Sequence, residues 1–444
     1  MAFGRETEWP AHVEEVLGTL ETAGFQAFVV GGGVRDRLLG RPCHDYDIAT
    51  DALPAQVAAL FERTIPTGVR HGTVTVLPAS APGMPVEVTT FRVEDGYSDG
   101  RHPDRVRFTD RIEADLARRD FTINAMAMDR AGHLVDPFSG ARDLVRRRIR
   151  AVGEAGERFA EDGLRILRGL RFAAELGFAM DPATQAAMER EADRLGRISL
   201  ERIGQELARI AQAAWGTVAD ALACGPYLRQ LPSPWPDLYP GFARLAALPK
   251  HLAAWPRAVR RPPPWSGEER QASSLAAWAF ASGCPPQAAA ALARSVRWPV
   301  RIGRLATRAM AAMAEDPAGF SPVQWRFALW REHPPALAIA CRLLDWWERP
   351  DGPFTRTASY ESYAARQPLR HIGDLAVDGR TLAALGLQGP AIGQVRDRLV
   401  DAVLRGDVAN DPAELIPLAR RWAAEAEGAQ RTRKEEHRGR SVDQ

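Results

Sequence analysis

The sequence runs to 444 residues with 58 Lys+Arg against 56 Asp+Glu, a formal net charge of +2, and only Lys250 and Lys434 among its basic residues are lysines. Neither lysine follows a glycine run, so a P-loop is excluded and lysine Schiff-base chemistry is disfavoured; any phosphate must be met by arginine, backbone amides or metal ions. With 45% hydrophobic and 26% charged residues the chain reads as globular, with roughly two to four domains, and its balanced charge leaves partners to local patterning.

Residues 11–24 have helical spacing, with Val13, Val16, Leu17 and Leu20 on one side and Gly24 as the stop. Phe25 to Val30 is a short apolar strand that ends in Gly31-Gly32-Gly33, and Val34 to Leu39 starts a helix. Asp45 to Ala49 reads as a strand, as do the alternating segments Gly72 to Leu77 and Val86 to Phe91. Glu94 to Asp104 is rich in Gly, Asp and Ser and reads as a mobile loop. From Arg158 onward the pattern is helical almost throughout, with breaks at Pro232 to Pro240 and Pro262 to Pro264. The stretch from about Glu427 is charged, poor in apolar residues and expected to be disordered. Met1 to Glu6 has no apolar leader, and no run of about 20 apolar residues is available to span a bilayer. Cys43, Cys224, Cys284 and Cys341 form no C-x-x-C pair, which fits a reducing, cytoplasmic setting rather than a zinc ribbon or a disulfide framework. The excess of arginine over lysine is explained by a GC-rich coding bias without any function.

The chemistry is concentrated in three places. Gly31 to Asp36 is a glycine-rich strand-to-helix turn, where backbone N–H groups can approach a phosphate. A dinucleotide fingerprint fails there, because its third glycine position is Asp36. Asp45-Tyr46-Asp47 follows. On a strand, residues i and i+2 share a face with Cα atoms about 6.5–7 Å apart, so two such carboxylates can hold divalent cations such as Mg²⁺. Two such ions activate a hydroxyl and stabilise leaving pyrophosphate. Glu87 is a candidate third carboxylate, with an outward charge on a half-buried strand as the alternative. In the third place, Asp162, Arg165, Arg168 and Arg171 recur at helical spacing opposite Leu164, Leu167, Leu170 and Phe172. Spacing alone favours a solvated charged face.

Gly31 to Asp36, Leu38-Leu39-Gly40-Arg41 and Asp45 to Thr50 together resemble the head of a class II nucleotidyltransferase, and most closely the bacterial CCA-adding tRNA nucleotidyltransferases. The likeness runs from about Phe28 to about Leu207. It implies an α/β N-terminal nucleotidyltransferase head, a small mixed sheet flanked by helices, followed by an all-α C-terminal region. The expected divisions are a catalytic head over 1–150, a helical neck with a base-selecting helix over 151–215, a helical body and tail for tRNA over 216–426, and a disordered tail over 427–444. The implied activity is template-independent addition of the 3′-terminal CCA to tRNA from CTP and ATP, with Asp45, Asp47 and Glu87 catalytic and two Mg²⁺ ions on Asp45 and Asp47.

The resemblance further implies that Gly32 and Arg35 bind the triphosphate, and that Arg119 and Asp120 bind the nucleotide's phosphate and ribose side, with a capping and salt-bridge cluster as the alternative reading of Arg118-Arg119-Asp120. Asp95 to Asp104, with Asp99 and Arg101, resembles the flexible loop of that family. The row at Asp162 becomes the base selector. Adenine and cytosine both present an amine beside a bare ring nitrogen, so Asp162 can accept from the first and Arg165 donate to the second. Guanine and uracil present the reverse order and would leave both side chains unpaired, at about 1–3 kcal/mol for each buried group. Arg168 and Arg171 support the pair or a phosphate. Arg146, Arg147, Arg148, Arg297 and Arg301 lie in basic runs suited to RNA phosphates, with a solvated face as the alternative. Bacterial poly(A) polymerase is the rival within the same superfamily. Val69 to Val74 and the intact loop look more like CCA addition. Some relatives carry a phosphohydrolase domain marked by a His-Asp pair. The only such pair here, His44-Asp45, lies in the head, so that activity is expected to be absent. The sequence leaves the oligomeric state open.

Overall fold

A computed structural model describes residues 8–425, apart from 44, 98–99, 101–102, 213–226, 232, 234, 239–265, 333 and 349–353. The expected Pro262 to Pro264 break, the flexible-loop residues Asp99 and Arg101, and the tail from Glu427 lie outside the described residues. The chain forms two compact units, residues 1–254 with 294–298, and residues 255–293 with 299–444.

The first unit opens with α1 (Ala11–Thr22), which buries Val13, Val16, Leu17 and Leu20 as the spacing requires. Next come β1 (Ala27–Val30), α2 (Gly32–Leu38), β2 (Asp47–Thr50), α3 (Pro54–Leu60), β3 (Thr64–Gly68), β4 (Thr73–Val76) and β5 (Val86–Thr90). With β8 (Ala127–Met128) and β9 (Leu134–Val135), these strands build a seven-stranded mixed sheet in the order β3-β4-β5-β2-β1-β8-β9. Only β2 and β5 pair in parallel within it. Between β5 and β8 lie the hairpin β6 (Arg92–Asp95) and β7 (Arg105–Phe108), then α4 (Ile112–Ala117). Val30, Ala49, Phe91, Ile112, Leu116 and Ala127 form a buried apolar cluster under the sheet.

The first unit continues with α5 (Gly140–Val145), β10 (Arg148–Ile149), α6 (Ala155–Glu161), α7 (Leu164–Leu176), β11 (Ala179–Met180), α8 (Pro182–Arg190) and α9 (Leu200–Gln212). Beyond Met180 every regular element among the described residues is helical. The second unit has its own core, in which Leu369, Leu382, Leu399, Leu404 and Leu415 are fully buried. No helix of the described residues is long and apolar enough to cross a membrane.

Four local expectations are corrected. The second strand begins at Asp47 rather than Asp45, because Asp47 pairs with Val30, the last residue of β1 before the chain enters the glycine turn. The α2 helix starts at Gly32, so Gly32 and Gly33 lie within its first turn and only Gly31 precedes it. Glu94 and Asp95 belong to a strand, and only residues 96–104 connect the hairpin. Finally, Asp162 is not helical. Its backbone is extended (φ −148°, ψ 106°), and its Oδ1 accepts from Leu164 N–H at 3.0 Å, closing a turn around Gly163 just ahead of α7. A short carboxylate competes for the free N–H groups of a first turn, and this splits the expected single helix in two.

Candidate nucleotide-binding and active site

Elements of the first unit enclose an open cleft of about 670 Å³. Gly32, Arg35, Asp45, Asp47, Arg119, Asp120, Asp162, Arg165, Arg168 and Arg171, all expected site residues, line it. That volume lies within the usual range of small-molecule sites.

One wall is the glycine turn. Gly31 has φ +68°, which favours glycine, and a Cβ there would stand 3.0 Å from Arg119 Nη1. Arg35, one turn into α2, gives two bonds of 2.9 Å to the Asp36 carboxylate and one of 2.8 Å to Asn124 Oδ1. The guanidinium is therefore held in place before any substrate arrives.

The second wall carries the carboxylates. Asp45 and Asp47 line the cleft, and the register sets Glu87 directly beside Asp47. The Asp47 carboxyl is held above the usual carboxylate range, first by burial and then by Glu87 and Asp45, against the pull of Arg119. Its surface is open to the cleft; the desolvation comes from the protein mass around that cleft. A carboxylate crowded by two others is a site that a divalent cation relieves. Glu87 does not line the cleft, and among the described residues no three His, Cys, Asp or Glu side chains are gathered as a ligand set. The donors thus suit a hard cation held by two carboxylates that takes its other ligands from phosphate and water.

Between the walls lies a charged floor. Arg118 Nη2 reaches Asp115 at 2.8 Å and its Nη1 reaches Glu94 at 3.2 Å, while Arg119 Nη2 reaches Asp115 at 3.3 Å. The buried Nε of Arg119 donates to no group of the described residues. Asp120, itself buried, accepts from Phe121 N–H at 2.8 Å, from Asn124 Nδ2 at 3.3 Å and from Arg168 Nε at 2.7 Å. Burial alone would raise its pKa, but the Arg168 guanidinium overrides this and brings it down to about 2.

The base-selecting candidates come from α7 and the turn before it. Asp162 is gripped by Arg202 of α9, with Nη2 at 2.7 Å and Nη1 at 3.3 Å from its two oxygens. Arg165 donates to the carbonyls of Arg158 (3.0 Å) and Arg118 (3.1 Å) and pairs with Glu161. Arg171 is buried against Glu206 of α9 at 2.7 Å. The guanidinium carbons of Arg35, Arg168 and Arg171 stand 5.3, 5.5 and 4.2 Å from the Phe172 ring centroid. The row therefore faces the cleft rather than bulk water, and the solvated-face alternative falls.

Sequence reasoning missed Arg118, Arg202 and Arg209 as cleft residues and took Phe172 only as an apolar position. Arg202 meets Asp162 across 40 residues of chain, and no local motif announces that contact. The five arginines proposed for RNA are not in the cleft. Arg146 and Arg147 are exposed after α5, Arg148 pairs with Asp181 at 3.2 Å, and Arg297 stands 3.6 Å from Glu201. Arg301, in the second unit, pairs with Glu268.

The sequence family described as "Poly A polymerase head domain" matches residues 27–150, and "Probable RNA and SrmB- binding site of polymerase A" matches residues 177–213. The CCA-adding enzyme of Latilactobacillus sakei is 52% identical over 197 residues, which span 44% of this chain and 49% of that protein. The CCA-adding enzyme of Lactobacillus delbrueckii subsp. bulgaricus is 35% identical over 414 residues, 93% of this chain and 98% of that one. Among solved structures, the Bacillus stearothermophilus CCA-adding enzyme in complex with CTP superposes with a TM-score of 0.74 at 32% identity, over 96% of this chain and 98% of the other. Likeness at that level, running nearly end to end, makes this chain a member of the CCA-adding enzyme family.

Proposed function

We propose that this protein completes the 3′ end of tRNA by adding C, C and A from CTP and ATP without a nucleic-acid template, releasing pyrophosphate at each step. The observation that carries the proposal is the shared cleft: the Asp45 and Asp47 carboxylates and the Asp162/Arg165 pair line the same cavity. A nucleoside triphosphate there would be met by opposite chemistries at its two ends.

In this reading the RNA 3′-hydroxyl attacks the α-phosphorus in line, and the bond to pyrophosphate breaks as the new phosphodiester forms. Asp45 and Asp47 would hold Mg²⁺, two ions in the full form, with Glu87 supporting Asp47 from β5. When bound, the metal supplies Lewis-acid stabilisation of the attacking and leaving oxygens. The chain's own residues bind and orient. The Gly31 and Gly32 backbone and the pre-held Arg35 face the triphosphate, Arg119 and Asp120 hold the phosphate and ribose side, and Asp162 with Arg165 reads the base edge. Arg168 locks Asp120 and so fixes the ribose side relative to the reader. The same reading assigns catalysis to 1–150, base selection to 151–215 and tRNA contacts to 216–426, with Arg146, Arg147, Arg148, Arg297 and Arg301 meeting RNA phosphates. It places the enzyme in the cytoplasm with its substrates.

The test is to offer tRNA lacking its last three nucleotides with CTP, with ATP and with both, and to sequence the product ends. CCA with both nucleotides and only C with CTP alone supports the proposal. A long A-tract would identify a poly(A) polymerase instead, and ends carrying only cytosine with both nucleotides present would identify a partial enzyme.

A further inference from the structure

Asp45 and Asp47 line the cleft, but the backbone that carries them is not equally supported. Asp47 is tied into the ladder between Val30 and Glu87. Asp45 precedes the strand and has no ladder partner; its carbonyl accepts from the Cys43 thiol at 3.3 Å. Between the two, Tyr46 does not line the cleft. Its ring centroid is 6.2 Å from Trp9 at 84° and 5.8 Å from His12 at 70°, both edge-to-face contacts. Trp9 and His12 are buried, and Trp9 is fixed by its Nε1 bond of 3.2 Å to the Asp129 carbonyl and by the Arg37 guanidinium 3.9 Å over its ring. The other side of the Tyr46 ring lies on the glycine turn. A Cβ on Gly33 would meet Tyr46 Cδ1 at 3.1 Å and Val29 Cγ1 at 2.9 Å. The third glycine is thus explained by close packing against Val29 and the Tyr46 ring rather than by a phosphate.

We propose that Tyr46 is a positioning residue: its ring, wedged between the start of α1 and Gly33, sets the Asp45 carboxylate against Asp47 and couples the carboxylate pair to the glycine turn. The proposal rests on the reading above, in which those carboxylates hold a divalent ion. Asp45 has no other regular element to fix it, so losing the wedge lets its carboxylate wander while Asp47 stays in the sheet. Supporting groups behind metal ligands typically change metal affinity by about 10–100-fold when removed.

The test uses the full chain and Mn²⁺ as the probe, with free Mn²⁺ followed by electron paramagnetic resonance and tRNA extension followed separately. Tyr46→Leu keeps apolar bulk without a planar ring, Gly33→Ala crowds the Tyr46 ring together with Val29, and Tyr46→Phe keeps the ring. Circular dichroism and melting curves check the fold. The expected result is at least about tenfold weaker Mn²⁺ binding in Tyr46→Leu and Gly33→Ala, with kcat reduced, KM for tRNA unchanged, and Mn²⁺ binding restored in Tyr46→Phe. Folded Tyr46→Leu and Gly33→Ala proteins that bind Mn²⁺ within twofold of wild type would overturn the proposal. So would a Tyr46→Phe protein as impaired as Tyr46→Leu. Asp45→Ala separates the two levels of the argument. If it also binds Mn²⁺ normally, the carboxylate reading fails; if it alone loses Mn²⁺, the reading stands and the wedge is refuted.

Discussion

Substituting Asp120 by Asn measures how strongly charge holds the floor of the cleft. The carboxylate takes Phe121 N–H and Asn124 Nδ2 on one oxygen and Arg168 on the other. An amide can keep its oxygen toward Phe121 and Asn124 only by turning its NH₂ group at Arg168, so a charge-assisted pair becomes two facing donors. With Asp120 at about 2 in the folded chain against an ordinary 3.8, and about 1.4 kcal/mol per pKa unit, the ionised carboxylate, net of its burial, contributes about 2 kcal/mol to folding. Because the folded pKa is depressed, this stability is present above the ordinary carboxylate pKa and is lost as pH falls through the folded one. About half of it remains near pH 3. Urea unfolding followed by tryptophan fluorescence reads the difference. The variant is expected to be less stable by about 2 kcal/mol at pH 7 and by about 1 kcal/mol at pH 3. Equal stabilities at pH 7, or a gap that acid does not narrow, would refute the assignment of that stability to the Asp120–Arg168 pair.

Three further outcomes follow from the geometry. Arg202→Met removes both bonds to a half-buried Asp162. It should raise UTP use relative to CTP by about tenfold, the effect of losing roughly one charge-assisted bond, and an unchanged ratio in single-turnover assays counts against Arg202 as the holder of the reader. Gly31→Ala forces a side chain to φ +68° beside Arg119. CTP binding measured by calorimetry should weaken about tenfold, in keeping with a strain of about 1–3 kcal/mol. A combined Arg146→Ala, Arg147→Ala protein should bind tRNA more weakly, with a salt slope shallower by roughly 0.7–0.9 for each phosphate that is no longer neutralised; an unaltered slope removes both residues from the RNA path.

The glycine turn and the Asp45/Asp47 pair are legible because each is a short contiguous motif, and both line the cleft, although neither keeps the backbone geometry its neighbours suggest. The head's α/β character and the helical remainder were legible from periodicity. Other features depend on distant partners. Asp45 falls off the strand because β1 ends at Val30, which no pattern within Asp45 to Ala49 encodes. The β6–β7 hairpin is hidden because Arg92-Val93-Glu94-Asp95 carries charges on both faces and the alternating Arg105-Val106-Arg107-Phe108 is only four residues long, the two being joined by cross-strand ion pairs such as Arg107 to Asp95 at 2.7 Å. The charged row on α7 looked like a solvated face because burial of a charge depends on what lies opposite, here Glu206 and Arg202 of α9. The Tyr46 ring is the middle letter of a motif in the sequence, and its contacts with Trp9 and His12 depend on α1 folding against it.

The central claim is that protein side chains, not a nucleic-acid template, choose the base. The direct measurement is single-turnover incorporation of CTP, ATP, UTP and GTP onto tRNA lacking its last three nucleotides, by wild type and by Asp162→Ala. The account predicts that wild type takes CTP over UTP at this first position by one to several orders of magnitude, from about 1–3 kcal/mol or more for each unpaired group. In the variant that ratio should collapse toward unity while tRNA affinity holds. An Asp162→Ala enzyme that keeps the wild-type preference for CTP would contradict it.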